Sequence, residues 1–356
     1  MRILIDFGQF KVVRLNSMIS PVDEYEAGLY RKHGFYPLLV EANTPEEIIP
    51  YVAECDAILV VSTALPAIVI ESLARCRVIS RLGIGTDKIA VKEASQRGIL
   101  VTNVPGCFSE ELADHTLAFI LALARKFPQM KHAMEEGAWS RSRHISIHNH
   151  RLSRCTLGLV GFGDSARLVA QRAKAFGMRV IATRRNTQVA SPEAEKLGVQ
   201  IVDLNTLLSE SDFVSLHVPL NPETYHLIDR TRLQIMKPGA VLINTARGAI
   251  VAEAALVEAL LSEHLAGAGL DTFEQIDPFT GVDSPQDHPL LHMNNVILTP
   301  HVAALSEEGM REVSEGGIEN LVAVLSGAWP TPERIVNPGI APRFPLVHEM
   351  ADGRPG

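Results

Sequence analysis

Thr156-Leu157-Gly158-Leu159-Val160-Gly161-Phe162-Gly163-Asp164-Ser165-Ala166 joins a buried-strand run to a glycine-rich turn. A helical pattern over 167–176 follows, then a second strand run over 179–183. Strand, glycine turn, helix and strand in this order make a βαβ unit whose turn suits a dinucleotide. The first glycine permits the tight turn. The second lets the backbone approach a pyrophosphate, whose charge meets the N–H groups and positive dipole end of the new helix. Gly161, Phe162, Gly163, Asp164 and Ser165 are therefore candidate cofactor contacts. Ala166 stands where a third glycine is usual, a tolerated exchange, whereas Asp164 puts a negative side chain into the phosphate turn.

At the end of the second strand an NAD site usually offers Asp or Glu to the ribose hydroxyls. This chain has Thr183-Arg184-Arg185 instead. Two guanidiniums at Arg184 and Arg185 suit a 2′-phosphate, so NADP is favoured over NAD. The alternative for these arginines is solvated surface charge.

Working outward, short apolar runs at 2–6, 36–40, 56–61, 77–81 and 99–103 read as strands. Helical patterns at 23–33, 45–55, 66–75 and 87–96 lie between them, two of them closed by Gly34 and Gly98. This alternation predicts a parallel, helix-covered sheet. The rhythm restarts at Thr156 after a long helical region, 109–137, and a polar connector, 140–154. With 356 residues the chain exceeds the roughly 250–300 at which a single core stops growing, so two doubly wound domains are expected.

Composition excludes several classes. The formal charge of −8 and the lack of any basic run longer than a pair argue against a nucleic-acid partner. The longest helical apolar stretch, 117–124, is far below the roughly 20 residues a membrane span needs. Asp6 falls where a signal peptide would place its apolar centre, so a cytoplasmic protein is expected. Cys55, Cys76, Cys107 and Cys155 have no C-x-x-C spacing and read as buried thiols. His144, His148 and His150 lack carboxylate or thiol companions, so no metal is assigned to them. The proline-rich end of the chain reads as an extended or disordered arm.

Further polar residues follow buried-strand runs: His217-Val218-Pro219, Asn244-Thr245-Ala246-Arg247-Gly248, Leu270-Asp271-Thr272-Phe273-Glu274 and Thr299-Pro300-His301. Carboxyl ends of parallel strands are where open α/β sheets bind ligands. Together with Arg81-Leu82-Gly83-Ile84-Gly85-Thr86-Asp87 and Val101-Thr102-Asn103-Val104-Pro105-Gly106, these motifs resemble the D-isomer-specific 2-hydroxyacid dehydrogenases over about 56–337.

The resemblance implies an α/β protein of two doubly wound parallel-sheet domains, flavodoxin-like and Rossmann, with the active site in an inter-domain cleft. The substrate domain would comprise 1–104 and 303–340, the NAD(P) domain 105–302, and a tail 341–356. The region 109–137 looks like the family's dimerisation segment, implying a homodimer. The backbone of Ile84 and Gly85, with Ser62, would hold the substrate. Arg247 would bind carboxylate and carbonyl oxygen, and His301 would supply the proton. Asp271 would fix the nicotinamide amide, and the implied cofactor contacts extend to His217, Val218, Pro219, Thr224, Thr245, Ala246, Arg247, His301 and Ala303. The family's histidine-orienting glutamate is displaced: its position is Ile276, followed by Asp277. A one-residue insertion would make Asp277 the partner of His301, with Glu274 as the competing acid. Val61-Ser62-Thr63 lacks the arginine common in phosphoglycerate and hydroxypyruvate relatives, which tells against a phosphorylated substrate.

The expected activity is hydride transfer between NAD(P)H and a small 2-oxo acid, yielding a D-2-hydroxy acid. The resemblance also admits formate- or phosphite-type oxidation. A non-catalytic NAD(P)-sensing protein on the same fold is a further alternative, kept open by Asp164 and Ile276.

Overall fold

Short β-branched runs bounded by helix caps build the first sheet. Its strands are β1 (Val12–Leu15), β2 (Leu38–Val40), β3 (Ala57–Val60), β4 (Val78–Arg81) and β5 (Leu100–Thr102), all parallel in the order β2-β1-β3-β4-β5. This computed structural model describes residues 7–16, 20–280 and 287–347. The expected strand at 2–6 lies outside the described residues, and β1 was not anticipated. Arg14 interrupts its apolar pattern, yet is only 1% exposed because Glu26 and backbone carbonyls take its guanidinium. The first two intervening helices start where the sequence supplies caps. Asp23 accepts the N–H of Glu26 ahead of Glu24–His33, and Thr44 and Glu47 form a capping box on Pro45–Val52. Gly34 closes the first of these in the left-handed conformation.

The second sheet comprises β6 (Thr156–Val160), β7 (Arg179–Thr183), β8 (Gln200–Ile201), β9 (Phe213–Leu216), β10 (Ala240–Asn244), β11 (Leu265–Leu270) and β12 (Val296–Leu298). All pairs are parallel, in the order β12-β11-β10-β9-β6-β7-β8. Strand order reverses between β6 and β9, so the glycine turn after β6 lies at the topological switch point, where such sheets bind dinucleotides. The first sheet has the flavodoxin order, as the resemblance implied.

The described residues fall into two compact units, drawn from Met1–Cys107 with Phe279–Gly281 and Ser306–Gly356, and from Phe108–Pro278 with Val282–Leu305. In the second, the helix Ser109–Ala124 packs closely on β11: a Cβ at Gly269 would come within 2.7 Å of the Phe119 ring. The helical region expected over 109–137 is two helices. Lys126 adopts a positive φ ahead of Phe127–Glu135, whose first turn holds a proline. Part of the polar stretch expected to be a connector forms the helix Trp139–Ile145.

The end of the chain stays packed on the first unit as far as Val347, while residues 348–356 lie outside the described ones. Arg343 donates to the carbonyls of Leu73, Ala74 and Arg97, and its own N–H reaches Gly98. All four cysteines are buried free thiols. No helix among the described residues is long and apolar enough to cross a membrane.

Candidate active site

The glycine turn after β6 has the two properties a pyrophosphate turn requires. Gly161 takes φ +98°, and a Cβ there would lie 2.3 Å from the His217 carbonyl oxygen. A Cβ on Gly163 would meet nothing within 4 Å, so the absence of a side chain leaves open space at the start of the helix Asp164–Ala175. Asp164 is ion-paired with Arg167 in the first helical turn, which offsets its charge. Beneath the turn, Ser165 Oγ lies 3.2 Å from His217 Nδ1 and Ser215 Oγ 2.9 Å from its Nε2. Burial pushes the His217 imidazole down to about 4, so the ring is neutral near pH 7. Val218 and Pro219 continue past His217. Thr224 stabilises their loop, donating to the Pro219 carbonyl at 2.6 Å. At the end of β7, Arg185 pairs with Glu223 at 2.8 Å, both well exposed, whereas half-buried Arg184 has no ion pair among the described residues.

At the end of β10, Asn244 orders the turn that carries Arg247. Its Nδ2 donates to the Arg247 carbonyl at 2.9 Å, and its Oδ1 accepts the Ala246 N–H at 3.0 Å. Arg247 is half-buried, with Nη1 on the Ala246 carbonyl at 2.8 Å. Only glycine fits at 248, where a Cβ would lie 1.9 Å from the Phe273 carbonyl carbon. Thr245 is buried and lies 3.3 Å, hydroxyl to hydroxyl, from Thr116.

Asp271, 1% exposed, organises the neighbouring strand end. Its Oδ1 accepts Thr299 Oγ1 at 2.5 Å and the Val302 N–H at 2.9 Å, and its Oδ2 accepts the Ala303 N–H at 3.0 Å. His301 sits within this cradle with its N–H 2.9 Å from the Asp271 carbonyl. It adopts φ +58°, a left-handed conformation costing a non-glycine residue on the order of 1–2 kcal/mol. Such strain persists where surrounding bonds over-determine it, and it clusters at functional sites. The structure thus brings Asp271, His301 and Ala303 together in one turn. The bonds described around Asp271 make it a holder of the His301 turn, a role that sequence reading missed.

Of the two acids after β11, Glu274 is already engaged. His226 Nε2 lies 2.5 Å from its Oε1, and its Oε2 accepts the Glu253 N–H at 3.2 Å. Glu253 returns the bond at 2.9 Å and carries His288 at 2.9 Å. Asp277 lies exposed further along the loop.

In the first unit, the turn after β4 folds around Arg81, whose Nε donates to the Gly85 carbonyl at 2.9 Å. Asn103 Nδ2 donates to the Ile84 carbonyl at 2.7 Å. No bond among the described residues uses the Ile84 and Gly85 N–H groups. Ser62, at the end of β3, accepts Asn16 Nδ2 at 2.8 Å. Asn16 was missed by sequence reading, and Asn103 and Asn244 were quoted within motifs without a role of their own. A lone asparagine at or just past a strand end was the only signal, and it is common in ordinary turns.

Known proteins resemble this chain over most of its length. Residues 117–303 match the family model described as D-isomer specific 2-hydroxyacid dehydrogenase, NAD binding domain. A glyoxylate reductase of Korarchaeum cryptofilum is 42% identical over 286 residues, 80% of this chain and 83% of that protein. A hydroxypyruvate reductase of Thermotoga maritima is 40% identical over 84% of this chain and 94% of its own length. The crystal structure of an Aquifex aeolicus D-lactate dehydrogenase, complexed with NAD and lactic acid, superposes with a TM-score of 0.82. It is 27% identical and covers 92% of this chain and 99% of its own.

Proposed function

The chain belongs to the D-isomer-specific 2-hydroxyacid dehydrogenase family, and from that premise we propose that it reduces a small 2-oxo acid to the D-2-hydroxy acid. The observation that carries the reading is the turn in which Asp271 holds His301 in a strained conformation, on the sheet that bears the open glycine turn. A binding-only protein has no evident need for a histidine on a strained backbone turn at a strand end.

The residues around the switch point fit a nicotinamide dinucleotide. Gly161 and Gly163, the start of the helix Asp164–Ala175 and the His217 ring would hold its pyrophosphate half, and Asp271 its nicotinamide amide. When bound, the nicotinamide supplies the hydride. Half-buried Arg184, without an ion pair among the described residues, favours a 2′-phosphate and hence NADP.

Arg247 would clamp the substrate carboxylate and carbonyl oxygen, polarising the carbonyl as negative charge develops. The Ile84 and Gly85 N–H groups, with Ser62, would take part in carboxylate binding. His301 would give its proton to the new alkoxide. Asp277 would stabilise the protonated ring, since Glu274 is committed to His226 and Glu253. A homodimer is proposed through 109–137 and the apolar patch of Phe127, Met134 and Trp139, exposed by 55%, 41% and 66%.

The test is turnover of NADPH and NADH with a panel of 2-oxo acids, alongside formate and phosphite as oxidation substrates. Reduction of one or more 2-oxo acids is expected. Tight nucleotide binding without turnover would favour the sensing alternative.

A further inference from the structure

Asp271 is itself held, and the group that holds it begins on a helix that the proposed mechanism does not use. His115, on Ser109–Ala124, places Nε2 3.0 Å from Thr299 Oγ1 and 4.0 Å from Asp271 Oδ1. Donor accounting fixes the direction of every bond in this chain. Val302 N–H, Ala303 N–H and the Thr299 hydroxyl all converge on the Asp271 carboxylate, which accepts from each. The single hydroxyl proton of Thr299 is thereby spent at 2.5 Å on Asp271. Toward His115 the same oxygen can only accept, so His115 must carry its hydrogen on Nε2.

The ring has little freedom to do otherwise. Phe119 packs against it edge-on with ring centroids 4.5 Å apart, and Phe119 in turn lies on Gly269 of β11. The glycine at 269 is what allows the helix this close: any Cβ would overlap the Phe119 side chain. The helix, the strand and the histidine turn therefore share one hydrogen-bonded path, His115 to Thr299 to Asp271 to the backbone of Val302 and Ala303.

We infer that His115 is a positioning residue for the reaction, acting through Thr299 to lock Asp271 and so the strained His301 turn. It touches neither substrate nor cofactor in this role. The inference rests on the proposed roles of Asp271 and His301. Without the imidazole donor, the Thr299 hydroxyl is free to rotate off Asp271, and the carboxylate loses the constraint on its orientation.

The test is steady-state reduction of glyoxylate by the full-length protein and by His115→Leu, His115→Gln, Thr299→Val and the Leu/Val double variant, with His301→Ala as reference and thermal melting as a control for folding. His115→Leu is expected to lower kcat about tenfold, the scale of one hydrogen bond to a charged network. The KM for glyoxylate, governed by Arg247, should change little. His115→Gln, whose amide nitrogen replaces Nε2–H, should restore most of kcat. The double variant should be no worse than Thr299→Val alone, because one path is cut only once. Equal kcat in the Leu and Gln variants, or additive losses in the double variant, would overturn the inference while His301→Ala remains inactive. Full activity of His301→Ala would instead bring down the site reading, and this inference with it.

Discussion

Arg247 stands on a turn whose backbone is fastened by Asn244, so truncating its side chain should leave the turn intact. Arg247→Ala is expected to cost roughly 2.7–4 kcal/mol in kcat/KM, the scale of losing one donor to a developing oxyanion, with cofactor affinity nearly unchanged. Near-normal kcat/KM would remove Arg247 from the mechanism. The two loop acids separate just as clearly. Asp277→Asn should move the alkaline limb of the reduction profile to lower pH, because the ring loses the charge that favours its protonated form. Glu274→Gln should instead weaken the His226 and Glu253 contacts and leave that limb in place. The reverse result would transfer the role to Glu274. At the cofactor's ribose end, Arg184→Asp should erase or invert a preference for NADPH, by replacing attraction to the 2′-phosphate with repulsion. Equal kcat/KM for NADH and NADPH in the unaltered protein would defeat the assignment.

Elements fix these side chains through close approaches that glycine makes possible. The β6 turn needs Gly161 for its fold and Gly163 for its vacancy, so Gly163→Val should weaken nucleotide binding with little loss of stability, whereas Gly161→Val should destabilise the domain. His217 adds a pH dependence to the same region. Its folded-state value of about 4 lies below the ordinary 6.5 because the half-buried ring is poorly solvated, so the unfolded chain takes up a proton first as pH falls. This group's contribution is flat above 6.5, is lost progressively down to about 4, and reaches on the order of 3 kcal/mol. His217→Gln should flatten that part of the stability profile in denaturant titrations. An unchanged slope between about pH 6.5 and pH 4 would show that the ring is solvated.

Much of this element-level architecture was legible in the chain. Gly34 marks a helix end by local chemistry and the β6–β7 unit is spelled out by its glycines, whereas the equally local caps at Asp23 and Thr44 went unread. What else escaped depended on distant partners. β1 was hidden because Arg14 looks like a surface residue until Glu26, from a helix, neutralises it in the core. His115 is one of several polar positions in the first half of Ser109–Ala124, and only packing of that helix on Gly269 brings it to Thr299. Spacing favoured Asp277 over Glu274 as the partner of His301 only through an assumed one-residue insertion, and the contacts of Glu274 with His226 and Glu253 are between residues far apart in the chain.

For the whole molecule, the family assignment accounts for the two doubly wound sheets and for the polar groups at their strand ends. If the exposed patch at Phe127, Met134 and Trp139 forms the subunit interface, Trp139→Glu should halve the mass measured by sedimentation equilibrium. A dimer unaffected by that charge would place the interface elsewhere. The proposed reaction is hydride transfer to the carbonyl carbon of a 2-oxo acid. It is tested most directly by incubating the protein with pyruvate or glyoxylate and nicotinamide cofactor deuterated at the transferable position, then analysing the product by mass spectrometry and, for lactate, on a chiral column. Deuterium at C2 and the D enantiomer are expected. A product without label, L-lactate, or no product from any 2-oxo acid despite bound cofactor would contradict it.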